Sequence, residues 1–238
     1  MIRLYGKNQV VERLKTRPKT IQKIIFKKST DNGFIEKLAV ENNIPHVLLS
    51  DKEFISISNN INNQGVIAQI QDFQYTDLED ILQLPNEKKL TLIALSNITD
   101  PQNLGSILRT TACFGRFALI IPKHRSASIT ESVLKVACGG ENYIPVIQET
   151  NLIPVIKQTK DAGYWVAGTV VEDGVDLTGF NFQFPLCLVI GSEDKGIRSG
   201  LMSHLDFKVT LPMPGAGLSL NAAVATAIFC YEVIRQKR

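Results

Sequence analysis

The chain has 238 residues, of which 44% are hydrophobic and 21% charged, with a formal net charge of +3. That length fits one large domain or two smaller ones with a substantial core. The start, Met1 to Lys7, lacks the apolar stretch of a secretory signal, and no apolar run approaches the roughly 20 residues of a membrane helix, so no membrane association is expected. Cys113, Cys138, Cys187 and Cys230 are scattered without a CxxC pair. This spacing argues against a disulfide framework or a metal site and fits a reducing cytoplasm.

Charge is unevenly distributed. Residues 1–71 hold eleven Lys and Arg against six Asp and Glu, whereas residues 90–238 hold thirteen against twelve. Within residues 1–28 nine basic side chains face one acid, Glu12. Such an end is either a solvated helix face or an electrostatic footprint for a polyanion. In chain order, a helix is predicted over 7–16 and a strand at Ile24–Phe26. A helix follows over 33–42 with Phe34, Leu38 and Ala39 on one face. The apolar run 46–49, a short helix opening at Asp51 and a strand at 65–70 complete a small α/β domain over residues 1–73. The acidic stretch after Asp72, with Pro85 to Lys89, reads as a linker over 74–88.

From 89 to 238 strands and helices alternate. Strands are predicted at 91–95, 117–121, 164–169, 186–190 and 207–211. Helices are predicted at 103–114, 130–138, 151–162 and 219–235, the first ended by Gly115. In the last helix Leu220, Val224, Ala227, Ile228, Tyr231 and Ile234 recur at helical spacing and mark a docking face. Continuous apolar strands between helices predict a mostly parallel sheet covered on both sides.

The dinucleotide fingerprint GxGxxG is absent, and Gly191 to Gly196 has phosphate-loop spacing but is followed by Ile197-Arg198 instead of Lys-Ser/Thr. His46, His124 and His204 have no metal-ligand spacing, and there is no GxSxG elbow. Three loops at strand ends remain: Asn97 to Gly105, leading into a helix with Arg109; Ile190 to Ile197; and Leu211 to Asn221. Ligands favour the carboxyl ends of strands in such sheets. Taken singly, each residue has an ordinary reading: Asn103 and Ser219 as helix caps, Arg109 as a surface ion-pair partner, Glu193 as a loop acid.

Together the three loops resemble, in order and spacing, the signature motifs of the SpoU (TrmH-type) RNA methyltransferases of the SPOUT superfamily. The matching residues are Asp100-Pro101-x-Asn103-Leu104-Gly105 with Arg109, then Gly191-Ser192-Glu193-x-x-Gly196-Ile197, then Pro212-Met213 with Ser219-Leu220-Asn221. Lys135 to Glu141 is a secondary match. Tyr5 to Val11 and Asn63 to Ala68 resemble the family's ribosomal-protein-L30e-like substrate domain. Asp194 departs from the glycine common in relatives, and Ala222-Ala223 replace the common Val-Ser.

The resemblance implies an α/β fold whose C-terminal parallel sheet carries a deep trefoil knot, a catalytic domain over 89–238, and an RNA substrate-binding domain over 1–73. It implies a homodimer that uses S-adenosyl-L-methionine and no metal. It puts Asn103, Arg109, Glu193, Ser219 and Asn221 in the catalytic site, and Thr169, Gly191, Gly196, Leu211 and Leu220 around the cofactor. Arg109 would act as general base or as an anchor for the RNA phosphate, the first being demanding because a guanidinium gives up its proton only with great difficulty. Lys7, Arg13, Lys15, Arg17 and Lys19 are the candidate RNA contacts. The implied reaction is methylation of a ribose 2′-hydroxyl, with a 23S rRNA guanosine of the peptidyl-transferase loop as the expected target. A tRNA guanosine and a non-catalytic RNA-binding module are the alternatives.

Overall fold

A computed structural model describes residues 2–58, 62–216 and 218–237. Its first strands and helices are Ile2–Tyr5 (β1), Lys7–Thr16 (α1), Ile21–Lys27 (β2), Gly33–Glu41 (α2), His46–Leu49 (β3), Asp51–Ile57 (α3) and Val66–Ile70 (β4). Leu78–Leu82 (α4), Thr91–Ser96 (β5), Pro101–Phe114 (α5), Phe117–Pro122 (β6), Glu131–Ala137 (α6), Val146–Glu149 (β7) and Leu152–Asp161 (α7) follow. The chain continues with Trp165–Val170 (β8), Val175–Asp176 (β9), Leu186–Gly191 (β10), Ser199–Met202 (α8), Phe207–Thr210 (β11) and Ala222–Gln236 (α9).

Two compact units form. The first takes the chain up to Gln74 together with Ile129–Asn142; the second takes Tyr75–Ser128 and the chain from Tyr143 onward. In the first unit the sheet order is β1-β4-β2-β3, antiparallel except for β2 with β3. Leu4, Phe26, Phe54 and Ile67 lie in its core. Ser50 and Glu53 open α3 with a reciprocal capping box, which satisfies donors that the first turn would otherwise leave unpaired.

The return of residues 129–142 to the first unit is held by polar contacts. Glu131 Oε1 accepts from Arg3 N (2.8 Å), and Gln9 Nε2 donates to Lys135 O (3.1 Å). Arg13 Nη2 donates to Glu141 Oε1 at 2.9 Å, with both residues buried. Gly139 sits at φ +93, and a Cβ there would lie 2.7 Å from Glu12 Cβ, so only glycine lets the turn reach α1.

In the second unit the sheet order is β7-β6-β5-β10-β8-β11-β9, and every paired strand is parallel. Strands β5 and β6 are buried at every position, as their unbroken apolar runs predict for a sheet covered on both faces. Leu78 and Ile81 of α4 are buried in the same core as Leu92, Ala94 and Ile120. The stretch read as a linker thus contributes packing side chains to the second unit.

Several local expectations change. Strands β1 and β7 do not follow from the residue pattern. In α2 the buried face is Ile35 and Ala39, while Phe34 is exposed. Helix α9 starts at Ala222, not 219, and buries Ala222, Ala223, Thr226, Phe229, Cys230 and Val233. The face expected to dock, Val224, Ile228 and Tyr231, is the exposed one. The helix is apolar on two sides, so periodicity alone does not choose between them.

Candidate active site

Because β5, β10, β8 and β11 run parallel, their carboxyl ends at Ser96, Gly191, Val170 and Thr210 share one edge of the sheet. The three motif loops leave from that edge. The second is a tight turn: Ser192 and Gly196 form an antiparallel bridge, Gly196 N donates to Ser192 O (2.9 Å), and Gly196 has φ +58. A Cβ on Gly191 would stand 2.3 Å from Gly196 C and 2.5 Å from Ile197 N, so the turn folds back over a position that only glycine can fill.

The loops meet at one carboxylate. Glu193 Oε1 accepts from Asn103 Nδ2 (2.8 Å), Asn221 Nδ2 (3.1 Å) and Ala222 N (2.8 Å). Asn221 Nδ2 also donates to Asn103 Oδ1 at 2.7 Å. Asn221 Oδ1 accepts from Ala223 N (2.9 Å) and Val224 N (3.3 Å), which makes it the N-cap of α9. Among the described residues Glu193 Oε2 accepts no hydrogen bond.

Two cavities flank this node. The smaller, about 310 Å³, lies over the ends of β8, β10 and β11 and has apolar walls from Ile190, Leu211, Leu220 and Phe229. The larger, about 1530 Å³, lies over the ends of β5, β6 and β7 and is lined by polar side chains including Asn97, His124, Arg125 and Arg198. Ser192, Glu193, Lys195 and Ile197 line both. Cys187 lies near the start of β10, away from the carboxyl edge, and burial pushes its thiol up to about 12, so it is a core side chain and not a nucleophile.

Asn103, Glu193 and Asn221 are therefore brought together on the wall of the larger cavity, and Ser219 lines the smaller cavity together with Glu193. Ser219 is not the cap of the last helix; Asn221 takes that role. Asn103 does not cap α5 either: Asp100 Oδ1 accepts from Gln102 N (2.8 Å), with Pro101 opening the helix. Thr169, Gly191, Gly196, Leu211 and Leu220 all line the smaller cavity. Gly217 lies outside the described residues. Arg109 is exposed on α5 and lines neither cavity.

Of the candidate RNA contacts, Lys15, Arg17 and Lys19 are exposed and Lys7 is half-buried, with its Nζ donating to Asp31 O (2.6 Å). Arg13 is a correction: it is 4% exposed, turned inward and paired with Glu141, so it presents no charge to a ligand. Sequence reasoning passed over Asn97, His124, Arg125 and Arg198. Arg198 directly follows the second motif, and Asn97 directly follows β5 at φ +65, a conformation that asparagine tolerates better than most residues.

A small-molecule cavity and an open, larger groove, sharing one fixed carboxylate at the carboxyl edge of a parallel sheet, define an α/β protein built to bring a bound cofactor to a bulky substrate. Residues 90–231 match the SpoU rRNA methylase family, and residues 3–76 match the substrate-binding domain of RNA 2′-O ribose methyltransferases. The chain belongs to the SpoU methylase family. It is 34% identical over 242 residues to the 23S rRNA (guanosine-2′-O-)-methyltransferase RlmB of Pseudomonas putida, covering 99% of this chain and 97% of that protein. A Staphylococcus saprophyticus protein assigned to the TrmH family of tRNA/rRNA methyltransferases is 37% identical, covering 92% of this chain and 89% of its own length. Among solved structures, the SpoU methyltransferase AviRb of Streptomyces viridochromogenes, in complex with AdoMet, aligns with a TM-score of 0.82 at 20% identity over 99% of this chain and 90% of that one. An rRNA methyltransferase of Sinorhizobium meliloti aligns with a TM-score of 0.82 at 25% identity over 98% of this chain and 86% of that one.

Proposed function

We propose that this chain is a cytoplasmic RNA 2′-O-methyltransferase that uses S-adenosyl-L-methionine to methylate a guanosine ribose of 23S rRNA, in the peptidyl-transferase loop. The observation that carries the reading is the Glu193–Asn103–Asn221 node standing between a cofactor-sized cavity and an open groove. The smaller cavity fits the cofactor: its apolar walls suit an adenine ring, while the Thr169 and Ser219 hydroxyls and the glycine backbone of the second loop offer polar contacts. Gly191, Gly196, Leu211 and Leu220 would hold it there. When bound, S-adenosylmethionine supplies the electrophilic methyl group.

The protein's task is then to orient the ribose and ease loss of the hydroxyl proton. Glu193, fixed by three N–H donors on one oxygen, keeps its second oxygen for the ribose side. Asn103, Ser219 and Asn221 hold the loops and the ribose by hydrogen bonds. In this reading the Arg109 guanidinium stabilises negative charge on the hydroxyl and the neighbouring phosphate.

Its exposed position suits a homodimer in which α9, with Val224, Ile228 and Tyr231 uncovered, meets a second copy, so that Arg109 serves the partner's site. The family's knot around the third loop belongs to the same reading. The exposed cations Lys15, Arg17 and Lys19, with Lys7 beside them, give the first unit its attraction for RNA phosphate. No helix among the described residues is long and apolar enough to cross a membrane.

The test is methyl transfer from labelled cofactor into total 23S rRNA and total tRNA of a strain lacking the modification, with the site mapped. Label at a 23S rRNA ribose is the expected result. Label confined to tRNA would overturn the substrate, and no label in either would overturn the activity. Arg109→Lys keeps the charge but not the planar fork; near-normal turnover by this variant would exclude both paired hydrogen bonding by the guanidinium and a general-base role for Arg109.

A further inference from the structure

The shared node divides the carboxyl edge of the sheet into a cofactor half over β8, β10 and β11 and a second half over β5, β6 and β7. The second half contains an arginine whose geometry is already set. Arg198 Nε donates to Asn97 Oδ1 at 2.6 Å, and Arg198 N donates to Ser96 Oγ at 3.5 Å. Asn97 can present its amide oxygen there because it takes φ +65 directly after β5. Among the described residues, neither Nη group of Arg198 meets an acceptor, so the outer part of the guanidinium is directed by Nε and left available.

Across the groove stand His124 and Arg125, both exposed. Their loop is tied to the first motif loop, since Ser126 Oγ (3.0 Å) and Ala127 N (2.8 Å) both donate to Ile98 O. Two rims that carry arginines are thus braced against the same short segment, 96–98. The groove also contains acids. Glu193 Oε1 is occupied by three donors, Asp100 Oδ1 takes Gln102 N, and Asp194 is exposed on the turn. None of the three forms an ion pair with Arg198 or Arg125 among the described residues.

We propose that Arg198 is a positioning residue for the RNA. It is aimed by Asn97 so that its two Nη groups clamp the phosphate adjacent to the target ribose, while Arg125 takes a further phosphate on the opposite rim. The inference rests on the RNA methyl transfer proposed above. It adds the path of the strand, along the β5–β6–β7 side of the node and away from the cofactor. A paired fork suits a phosphate better than a point charge does, and the hydrogen bond at Nε spares the fork the loss of freedom on binding.

The test compares wild type with Arg198→Ala, Arg198→Lys and Asn97→Gly, the last removing the amide while keeping a residue at ease with φ +65. The probes are a transcript of the 23S rRNA peptidyl-transferase loop and an unmodified tRNA transcript. Measured quantities are kcat, KM for RNA, RNA Kd as a function of salt, and cofactor Kd by calorimetry. For Arg198→Ala, KM for the accepted RNA should rise about tenfold or more, and the slope of log Kd against log salt should fall by about one. Cofactor Kd should stay at the wild-type value. Arg198→Lys should keep the salt slope but recover only part of KM, and Asn97→Gly should raise KM with the slope unchanged.

Unchanged KM and salt slope in Arg198→Ala would overturn the inference, as would a cofactor Kd that weakens in parallel with KM. Wild-type protein that binds RNA but transfers no methyl would instead defeat the proposed reaction, and the RNA Kd and salt slope of Arg198→Ala would still decide the role of Arg198.

Discussion

Glu193 Oε1 receives N–H groups from Asn103, Asn221 and Ala222, so this one oxygen joins the first motif loop, the second, and the start of α9. Removing it strands three donors, each costing about 1–3 kcal/mol where water cannot replace the partner. Glu193→Ala is therefore expected to lower kcat at least about 100-fold, by loosening the groups around the reacting hydroxyl. Single-turnover transfer at saturating cofactor checks this, and a kcat within a few-fold of wild type would remove Glu193 from the site. Gly191 offers a second test at the same scale. Gly191→Ala forces a Cβ to within 2.3 Å of Gly196 C, whose backbone has no flexible end to yield, whereas a Cβ on Gly196 meets nothing within 4 Å. Calorimetry should show cofactor binding at least about tenfold weaker for Gly191→Ala. Gly196→Ala should keep more of it, losing only about 1–2 kcal/mol of stability to its left-handed backbone. Equal cofactor affinity in the two variants would mean that the close approach of the turn does not shape the cavity.

At the scale of elements, α1 and the turn that follows it carry two kinds of basic residue that look alike in the sequence. Lys15, Arg17 and Lys19 point outward, while Arg13 is buried against Glu141 of the returning segment. Burial raises the Glu141 carboxyl and lowers the Arg13 guanidinium, with each charge partly offsetting the other's cost. Arg13→Ala leaves the carboxylate without a partner and is expected to cost about 3–5 kcal/mol in denaturant unfolding. Its RNA salt slope should match wild type, whereas replacing Lys15, Arg17 and Lys19 together should lower the slope by about two to three with little loss of stability. A changed slope in Arg13→Ala would return that residue to the RNA surface. This contrast also shows what could be read in advance. The apolar runs within β5 and β6, and the short helix opening at Asp51, are legible because each rests on local chemistry, whereas α5 opens at Pro101 and not at 103. Strand β1 is only four residues long, contains Arg3, and gains its place by pairing with β4, which no local pattern encodes. The same holds for Glu141, whose partner lies 128 positions away. In α9 the stripe that stands out in the sequence, with Val224, Ile228 and Tyr231, is the uncovered one, because which face is buried depends on how α9 is laid down. Asn103, Glu193 and Asn221 could be gathered only through their motifs, since they are 90 and 28 positions apart along the chain and meet only in the fold.

For the molecule as a whole, the node is assembled within one chain, yet Arg109 lines neither cavity and the adjoining α9 leaves Val224, Ile228 and Tyr231 uncovered. A row of apolar side chains at positions four and three apart, on a helix whose other face is already buried, is what a self-complementary dimer contact requires. If a second copy covers it, each active site combines one subunit's Glu193 with the other's Arg109. That arrangement makes a prediction which a monomeric site cannot share. Arg109→Ala and Glu193→Ala proteins should each be inactive alone. After unfolding and refolding together in equal amounts, half of the dimers are mixed, and in each of these one site has both residues intact. Activity should therefore return to roughly one quarter of the wild-type level. Ile228→Asp, which places a charge in the apolar row, should shift the protein to monomer in sedimentation, abolish this recovery and leave cofactor binding in place. A mixture as inactive as its two components, from subunits shown to have exchanged, would put Arg109 and Glu193 in the same chain's site.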